Sequence, residues 1–392
     1  MTSRQLRSGG RTWPVRLAVL VLALTQALAS VATVRGGDGQ PPEFKAELAA
    51  ELQAIIERVS TERPIFGIAA TVTLADGSRW EGGTGFADRQ NGDQPFTAHT
   101  PSVAGSISKT FMAALILKLA EEGKLTLDDS LSSWVPEKPF SERIKIKHLL
   151  RHTSGLPDYF RHRDYSRLVF KRPTHVWSKQ EVMGLIKTNL RFSPGRSWYY
   201  SNSGFFLLGL IAERAAGTTL GVAFRERFLT PLGLDETWLQ GEDELPPNAA
   251  QGYLFLNGKF RAYADGSNFR PHTSAATVAW GAAAIMSTAS DLNDWTRALY
   301  GGQVLSPASL AKMVTFNSWG YGLGTTLRDA YGEPAWGHNG SLRGFTATTW
   351  YLPNLGATVT LMTNRGRIQP DNIARELVLA ILNAGEGPPE TP

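Results

Sequence analysis

Ser106-Ile107-Ser108-Lys109 opens an apolar run, Thr110-Phe111-Met112-Ala113-Ala114-Leu115-Ile116-Leu117-Lys118-Leu119, that has the composition of a good helix and stops at Gly123. If the helix begins near Ser106, the serine and Lys109 are three residues apart and share one face. The amine then comes within hydrogen-bond reach of the hydroxyl. A serine hydroxyl is a weak nucleophile until a base stands beside it. A lysine buried there, its basicity reduced by desolvation, is able to take the proton. The helix N-terminus adds free N–H groups where an oxyanion would develop. Alone, the tetrad also reads as an ordinary N-cap serine with a solvated lysine one turn on, so the meaning depends on what the rest of the chain supplies.

Working outward, the next informative stretch is Tyr200-Ser201-Asn202, preceded by Phe192-Ser193-Pro194-Gly195 and Trp198 and followed by Gly204 and Leu207-Leu208-Gly209. A Tyr-x-Asn loop ahead of a helix can aim a phenol and an amide at one point; alone it is a capping loop. The third stretch is His338-Asn339-Gly340-Ser341, with Arg343-Gly344-Phe345 behind it. It is expected at the front of an edge strand, where a backbone N–H could serve an oxyanion and glycine permits close approach. Its alternative is a polar turn opening a hairpin.

In this order the three stretches resemble the S-x-x-K, S-D-N and K-T-G trio of the serine β-lactamase and penicillin-binding-protein superfamily. The nearest branch is the one holding class C β-lactamases, D-alanyl-D-alanine carboxypeptidases and related esterases. Flanking segments are similar too: His148-Leu149-Leu150-Arg151-His152-Thr153-Ser154-Gly155-Leu156, Pro231-Leu232-Gly233-Leu234 and Ser287-Thr288-Ala289-Ser290-Asp291-Leu292. The resemblance runs from about residue 45 to residue 383.

The resemblance implies that Ser106 attacks a carbonyl and forms an acyl-enzyme, with Lys109 and Tyr200 sharing the roles of base and acid. Asn202 would orient the lysine and the substrate amide. The backbone N–H groups of Ser106 and Ser341 would form the oxyanion hole, with Gly340 beside them, and His338 would line the cleft near Tyr200. No metal or organic cofactor is implied, and the partner is a small-molecule or peptide substrate. Two departures stand out. Asn339 occupies the place of a threonine that contacts a substrate carboxylate in relatives, which puts carboxypeptidase and β-lactamase activity in doubt. Arg343 could supply that contact instead, or could simply face solvent. His148 and His152, four apart, would suit zinc on a helix, but no third ligand is near in the sequence and the family segment is the preferred reading.

The fold expected is mixed α/β, of the α+β kind. Phe44, Leu48, Leu52, Ile55 and Val59 recur at helical spacing until Pro64. Ile68–Leu74 and Trp80–Ala87, joined by Ala75-Asp76-Gly77-Ser78, form a hairpin pattern. Helical patterns dominate from residue 106 to about 270, with clear ones at Glu181–Thr188 and Phe205–Ala216. Strands return at Tyr321–Leu327, Gly344–Tyr351 and Ala357–Thr363, and Ile373–Leu382 closes as a helix. The economical arrangement is an antiparallel sheet built from both chain ends, residues 43–105 and 271–384, flanked by helices. A mostly helical domain, 106–270, is inserted, and a cleft lies between the two. This is the β-lactamase/transpeptidase-like fold that the resemblance implies.

Residues 1–29 have the pattern of an export signal. Arg4, Arg7, Arg11 and Arg16 precede the apolar run Leu17–Leu24, and Ala27-Leu28-Ala29 offers a cleavage site, with Ser30-Val31-Ala32 as a second. The alternative is an uncleaved anchor, which would tether the protein to a membrane. Residues 30–42 form a linker and 385–392 a tail. The four arginines account for four of the chain's five net positive charges, so there is no electrostatic case for nucleic acid. The basic stretch Arg161–Arg172 reads as a solvated face. The absence of cysteine excludes disulfides, thiolate metal sites and cysteine nucleophiles. It suits a bacterial periplasmic or secreted protein. An α/β-hydrolase would need a G-x-S-x-G elbow, which the sequence lacks. A binding module without turnover is countered by the intact Ser106, Lys109, Tyr200 and Asn202. Ester or small-peptide hydrolysis is expected to exceed β-lactam hydrolysis, and the oligomeric state is left open.

Overall fold

The computed structural model describes residues 42–88 and 94–385. The export pattern, nearly all of the linker and the tail beyond residue 385 lie outside the described residues. Helix α1 (Ala46–Glu62) buries Leu48, Leu52, Ile56 and Val59 along one stripe. The hairpin follows as β1 (Gly67–Thr73) and β2 (Arg79–Asp88), turned by Asp76, whose carboxylate accepts from the Ser78 amide, and by Gly77 at φ +92. Two short strands, β3 (Gln94–Pro95) and β4 (Ser102–Val103), lead to the 3-10 turn Gly105–Ile107 and helix α2 (Ser108–Glu121).

Helix α3 (Asn202–Ala216) ends at Gly217, which takes the left-handed conformation favoured after a helix C-terminus. The chain continues through β5 (Trp238–Leu239), the hairpin β6 (Gly252–Leu256) and β7 (Lys259–Tyr263), α4 (Thr273–Ala283), β8 (Ile285–Ser287) and α5 (Ala289–Tyr300). Four strands then meander: β9 (Thr326–Ala330), β10 (Glu333–Leu342), β11 (Phe345–Leu352) and β12 (Ala357–Thr363). Helix α6 (Pro370–Asn383) closes the fold.

The main sheet has seven strands in the order β3-β2-β1-β12-β11-β10-β9, with every pairing antiparallel. Strands from the two chain ends therefore meet at β1 and β12, where Ile68 pairs with Thr363 and Thr73 with Thr358. Period-two alternation gives this sheet two different faces. Ile68, Ala70, Val72, Val359 and Leu361 pack against the stripes of α1 and α6. Each fully buried Leu or Ile there stabilises the fold by about 1.5–3 kcal/mol. The opposite face carries buried threonines. Thr360 pairs with Thr71 and Thr349 across the sheet. Helix α5 meets this row with polar side chains: Asn293 accepts from Thr73 Oγ1 at 2.7 Å and donates to the Thr71 carbonyl, and Thr296 bonds Thr349 at 2.7 Å. β4, β8 and β5 form a separate three-stranded ladder.

Several expectations shift. The strand expected at Tyr321–Leu327 begins only at Thr326, because Gly322 and Gly324 turn the chain against its neighbours. A Cβ on Gly322 would lie 2.1 Å from the Met313 carbonyl oxygen, and one on Gly324 2.6 Å from the Ala113 Cβ. The helix expected at Glu181–Thr188 is Lys179–Leu185, started by a capping box between Ser178 and Glu181. The His338 stretch is the inner part of a ten-residue strand, not a turn. β10 is not the sheet's edge strand, but β9 pairs with it only from Glu333 to Gly337. From His338 to Leu342 its outer side is therefore left to face the Ser106 turn. The β6–β7 hairpin lies in the stretch where helical patterns were expected to dominate.

Candidate active site

The 3-10 turn that holds Ser106 and the outer side of β10 press together backbone to backbone. Gly105 sits at φ +55, and a Cβ there would meet the Ser341 nitrogen at 2.7 Å. A Cβ on Gly340 would meet the Ala104 carbonyl oxygen at 1.8 Å. Only glycine at both positions lets the backbone of Ser341 lie beside that of Ser106. The turn also decides between two serines. Ser108 donates to the Gly105 carbonyl at 2.6 Å and accepts from the Ile285 amide at 3.0 Å, so it is a fixed structural bridge. Ser106 is half-buried, and its hydroxyl meets the side chains of Lys109 and Tyr200. Lys109 Nζ lies 3.1 Å away, and the Tyr200 hydroxyl donates to it at 2.8 Å.

Lys109 is fully buried. Besides Ser106, its Nζ donates to Asn202 Oδ1 at 2.9 Å and to the Ala282 carbonyl at 2.8 Å. That carbonyl lies two residues after a break in α4, where Trp280 leaves helical geometry at φ 31, ψ −124. Burial lowers the Lys109 pKa from its ordinary value to about 7, with Asp158 pulling the other way. The neutral amine keeps two N–H bonds, to Asn202 and Ala282, and turns its lone pair to the Ser106 hydroxyl. Tyr200 is pushed the opposite way: burial raises its pKa well above the ordinary phenol value. At neutral pH it therefore remains a donor, and the lysine is the group able to accept a proton.

Asn202, the first residue of α3, is oriented by Asp158. Its Nδ2 donates to both carboxylate oxygens, at 3.2 and 3.3 Å, and its backbone N–H to Oδ1 at 3.1 Å, leaving Oδ1 of the amide for Lys109. Burial raises the Asp158 pKa, while N–H groups of Phe160 and Asn202 hold it down. The sequence reading passed over Asp158, although it follows directly on His152-Thr153-Ser154-Gly155-Leu156-Pro157. Its signal was the first acid after that segment, placed directly before the aromatic pair Tyr159-Phe160.

His338 is placed near Tyr200, with ring centroids 6.3 Å apart. Both its nitrogens are engaged within the protein: Nδ1 with the Asn339 carbonyl at 2.5 Å and Nε2 with the Tyr321 hydroxyl at 3.2 Å. Burial, with Lys109 adding to it, lowers its pKa to about 3. Arg343, in the turn after β10, is half-buried and has no ion-pair partner among the described residues. Its guanidinium lies between the rings of Phe170 and Tyr263, 4.2 and 4.4 Å from their centroids, and donates to the Tyr263 hydroxyl at 2.7 Å. The zinc alternative for His148 and His152 does not form. His152 lies past the short helix Ile146–Leu150 at φ +57, and no metal-binding cluster occurs among the described residues.

A beta-lactamase family model matches residues 52–383 of this chain. The chain belongs to the beta-lactamase family. The family is one of serine hydrolases and penicillin-binding relatives. Penicillin-binding protein 4* of Bacillus subtilis is 27% identical over 271 residues, 66% of this chain and 57% of that protein. Esterase EstB of Burkholderia gladioli is 31% identical over 203 residues, 48% of this chain and 51% of the esterase. The chain thus spans only about half to three-fifths of these relatives. The D-amino acid amidase of Ochrobactrum anthropi SV3 superposes with a TM-score of 0.75 at 23% identity, covering 87% of this chain and all of the amidase. That likeness shows the shared fold, an antiparallel sheet with helices of the β-lactamase and penicillin-binding type.

Proposed function

We propose that this family member is a serine acyl hydrolase that forms an acyl-enzyme on Ser106 and cleaves an ester, amide or peptide bond. The observation that carries the reading is the meeting of Lys109 Nζ and the Tyr200 hydroxyl on one oxygen, Ser106 Oγ, at 3.1 and 2.8 Å. Ser106 Oγ bonds to the substrate carbonyl carbon as its proton passes to neutral Lys109. The carbonyl oxygen takes the negative charge beside the backbone N–H groups of Ser106 and Ser341. The tetrahedral species collapses, and the leaving group departs with a proton from the Lys109–Tyr200 pair. A water then attacks the acyl carbon, giving one proton to the same pair, and Ser106 regains its hydrogen. The pair ends unchanged.

Esters are favoured over β-lactams. Asn339 stands where relatives have the threonine that holds a carboxylate, and an ester with a good leaving group needs no such hold. The esterase among the relatives supports this order. The test is mass mapping after treatment with a fluorophosphonate or a p-nitrophenyl ester, together with rates on that ester and on nitrocefin. One adduct on Ser106 and a higher kcat/KM for the ester are expected. An adduct on Ser108 or Ser201 would overturn the nucleophile, and faster nitrocefin turnover would overturn the substrate order.

A further inference from the structure

Beside Tyr200 runs a line of three buried polar side chains that the proposed reaction does not use. His152, Tyr321 and His338 are exposed by only 1, 3 and 2%. They come from three separate places: the segment after the helix Ile146–Leu150, the turn before β9, and β10. The Tyr321 hydroxyl is 3.0 Å from His152 Nε2 and 3.2 Å from His338 Nε2. The far ends of the line fix where every hydrogen sits. The Ser201 backbone N–H donates to His152 Nδ1 at 3.2 Å, so that nitrogen is bare. A carbonyl only accepts, so His338 Nδ1, 2.5 Å from the Asn339 oxygen, carries a hydrogen.

With both rings neutral, one assignment satisfies every atom. His152 Nε2–H donates to the Tyr321 oxygen, and the Tyr321 hydroxyl donates to His338 Nε2. Protonating His338 would point two N–H groups at one phenol oxygen and leave the phenol hydrogen without an acceptor. Buried polar atoms are costly to leave unpaired, about 1–3 kcal/mol each. The line also ties together parts that must not drift. The His152 ring lies on that of Tyr200, with centroids 4.2 Å apart, and His152 holds the Ser201 amide next to it. His338 is three residues from Ser341 on the same strand.

We propose that Tyr321 is a positioning residue that holds His152 and His338 as opposite neutral tautomers, and so fixes the Tyr200–Asn202 loop against the strand that carries Ser341. Its catalytic consequence rests on the hydrolase reading; its tautomer consequence does not. The experiment is ring nitrogen-15 NMR on the full chain labelled at histidine, paired with kinetics of Tyr321→Phe, which keeps the ring and removes the hydroxyl. In the unaltered protein, His152 shows its hydrogen on Nε2 and His338 on Nδ1. In Tyr321→Phe the His338 Nε2 signal moves as it loses its donor. Then kcat on a p-nitrophenyl ester falls roughly 10-fold, the size of one or two lost hydrogen bonds, while KM changes less than about two-fold. The same tautomer on both rings of the unaltered protein would overturn the assignment, whether or not the variant folds. So would an unchanged kcat in a folded variant. Failure of a fluorophosphonate to label Ser106 would refute the hydrolase reading alone.

Discussion

Lys109 and His338 are two basic side chains buried around the same serine, and their surroundings differ in one respect. Lys109 is bounded by oxygen acceptors on Ser106, Asn202 and Ala282, and the Asp158 carboxylate stands behind Asn202. His338 is bounded by a phenol and its neighbour's carbonyl, and the charges it feels, Lys109 foremost, are positive. Burial lowers both pKa values. The two fall by about the same amount, the lysine from 10.5 to about 7 and the histidine from 6.5 to about 3, so it is the lysine's higher starting point that leaves it near neutrality, with Asp158 helping to keep it there. Desolvation of similar size thus brings an amine into the neutral range and carries an imidazole out of it. In the proposed reaction the lysine therefore handles protons and the histidine is a fixed neutral part.

The largest expected effect tests the proton handlers. Lys109→Ala or Tyr200→Phe should each lower turnover of an activated ester by roughly 10²-fold or more. The double variant should be little worse than the weaker single one, because the two act as a unit. Fully multiplicative losses would mean separate roles. If His338→Gln cost as much as Lys109→Ala, the histidine would be a proton carrier too and the contrast would collapse.

A smaller effect sharpens the electrostatic half of the comparison. Ser106 needs neutral Lys109, so kcat/KM should rise with pH along a limb centred near 7. It should hold past the ordinary phenol range, since Tyr200 is shifted upward. The negative charge of Asp158 favours the protonated lysine. Asp158→Asn removes that charge, so the limb should move to lower pH. The loosened Asn202 should also lower the plateau, by roughly 10-fold. A pH–rate profile of both proteins reads both changes. A limb that stays in place or moves upward would mean that Asp158 does not set the lysine.

The same two regions differ in how legible they were. The Lys109 side could be read because its parts are side chains in local patterns. Ser106 and Lys109 lie three apart before an apolar helix run, and Tyr200 and Asn202 lie two apart before another. The sheet strands β1, β2, β11 and β12 were legible from apolar, β-branched runs and the turn residues between them, and Gly217 marked the end of α3. The His338 side depends on backbone meeting backbone across long separations. Gly105 against Ser341, and Gly340 against Ala104, leave no trace in local spacing. Tyr321 was read as the start of a strand, because Gly322 and Gly324 act through contacts with Met313 and Ala113 that only the fold supplies. The β6–β7 hairpin was missed although Asn257 and Gly258, both at positive φ, form a turn pair of the usual hairpin type.

The smallest expected effect concerns Arg343, a cation that neither handles protons in the proposed reaction nor belongs to the buried line. Arg343 is held between Phe170 and Tyr263 and spends one N–H on the Tyr263 hydroxyl. A guanidinium has five N–H donors, and the others find no partner among the described residues. Ring stacking fixes the plane of the group while leaving those N–H groups for a ligand. A substrate carboxylate would gain a charge-assisted bond there in place of the missing threonine contact; a neutral ester would gain nothing. Arg343→Ala should therefore lower kcat/KM for a carboxylate-bearing peptide or β-lactam about ten-fold, the size of one such bond. A short-chain p-nitrophenyl ester should change less than about two-fold. Parallel losses on both substrates would mean that the arginine only props the β10–β11 turn against Phe170 and Tyr263, and that carboxylate recognition lies elsewhere.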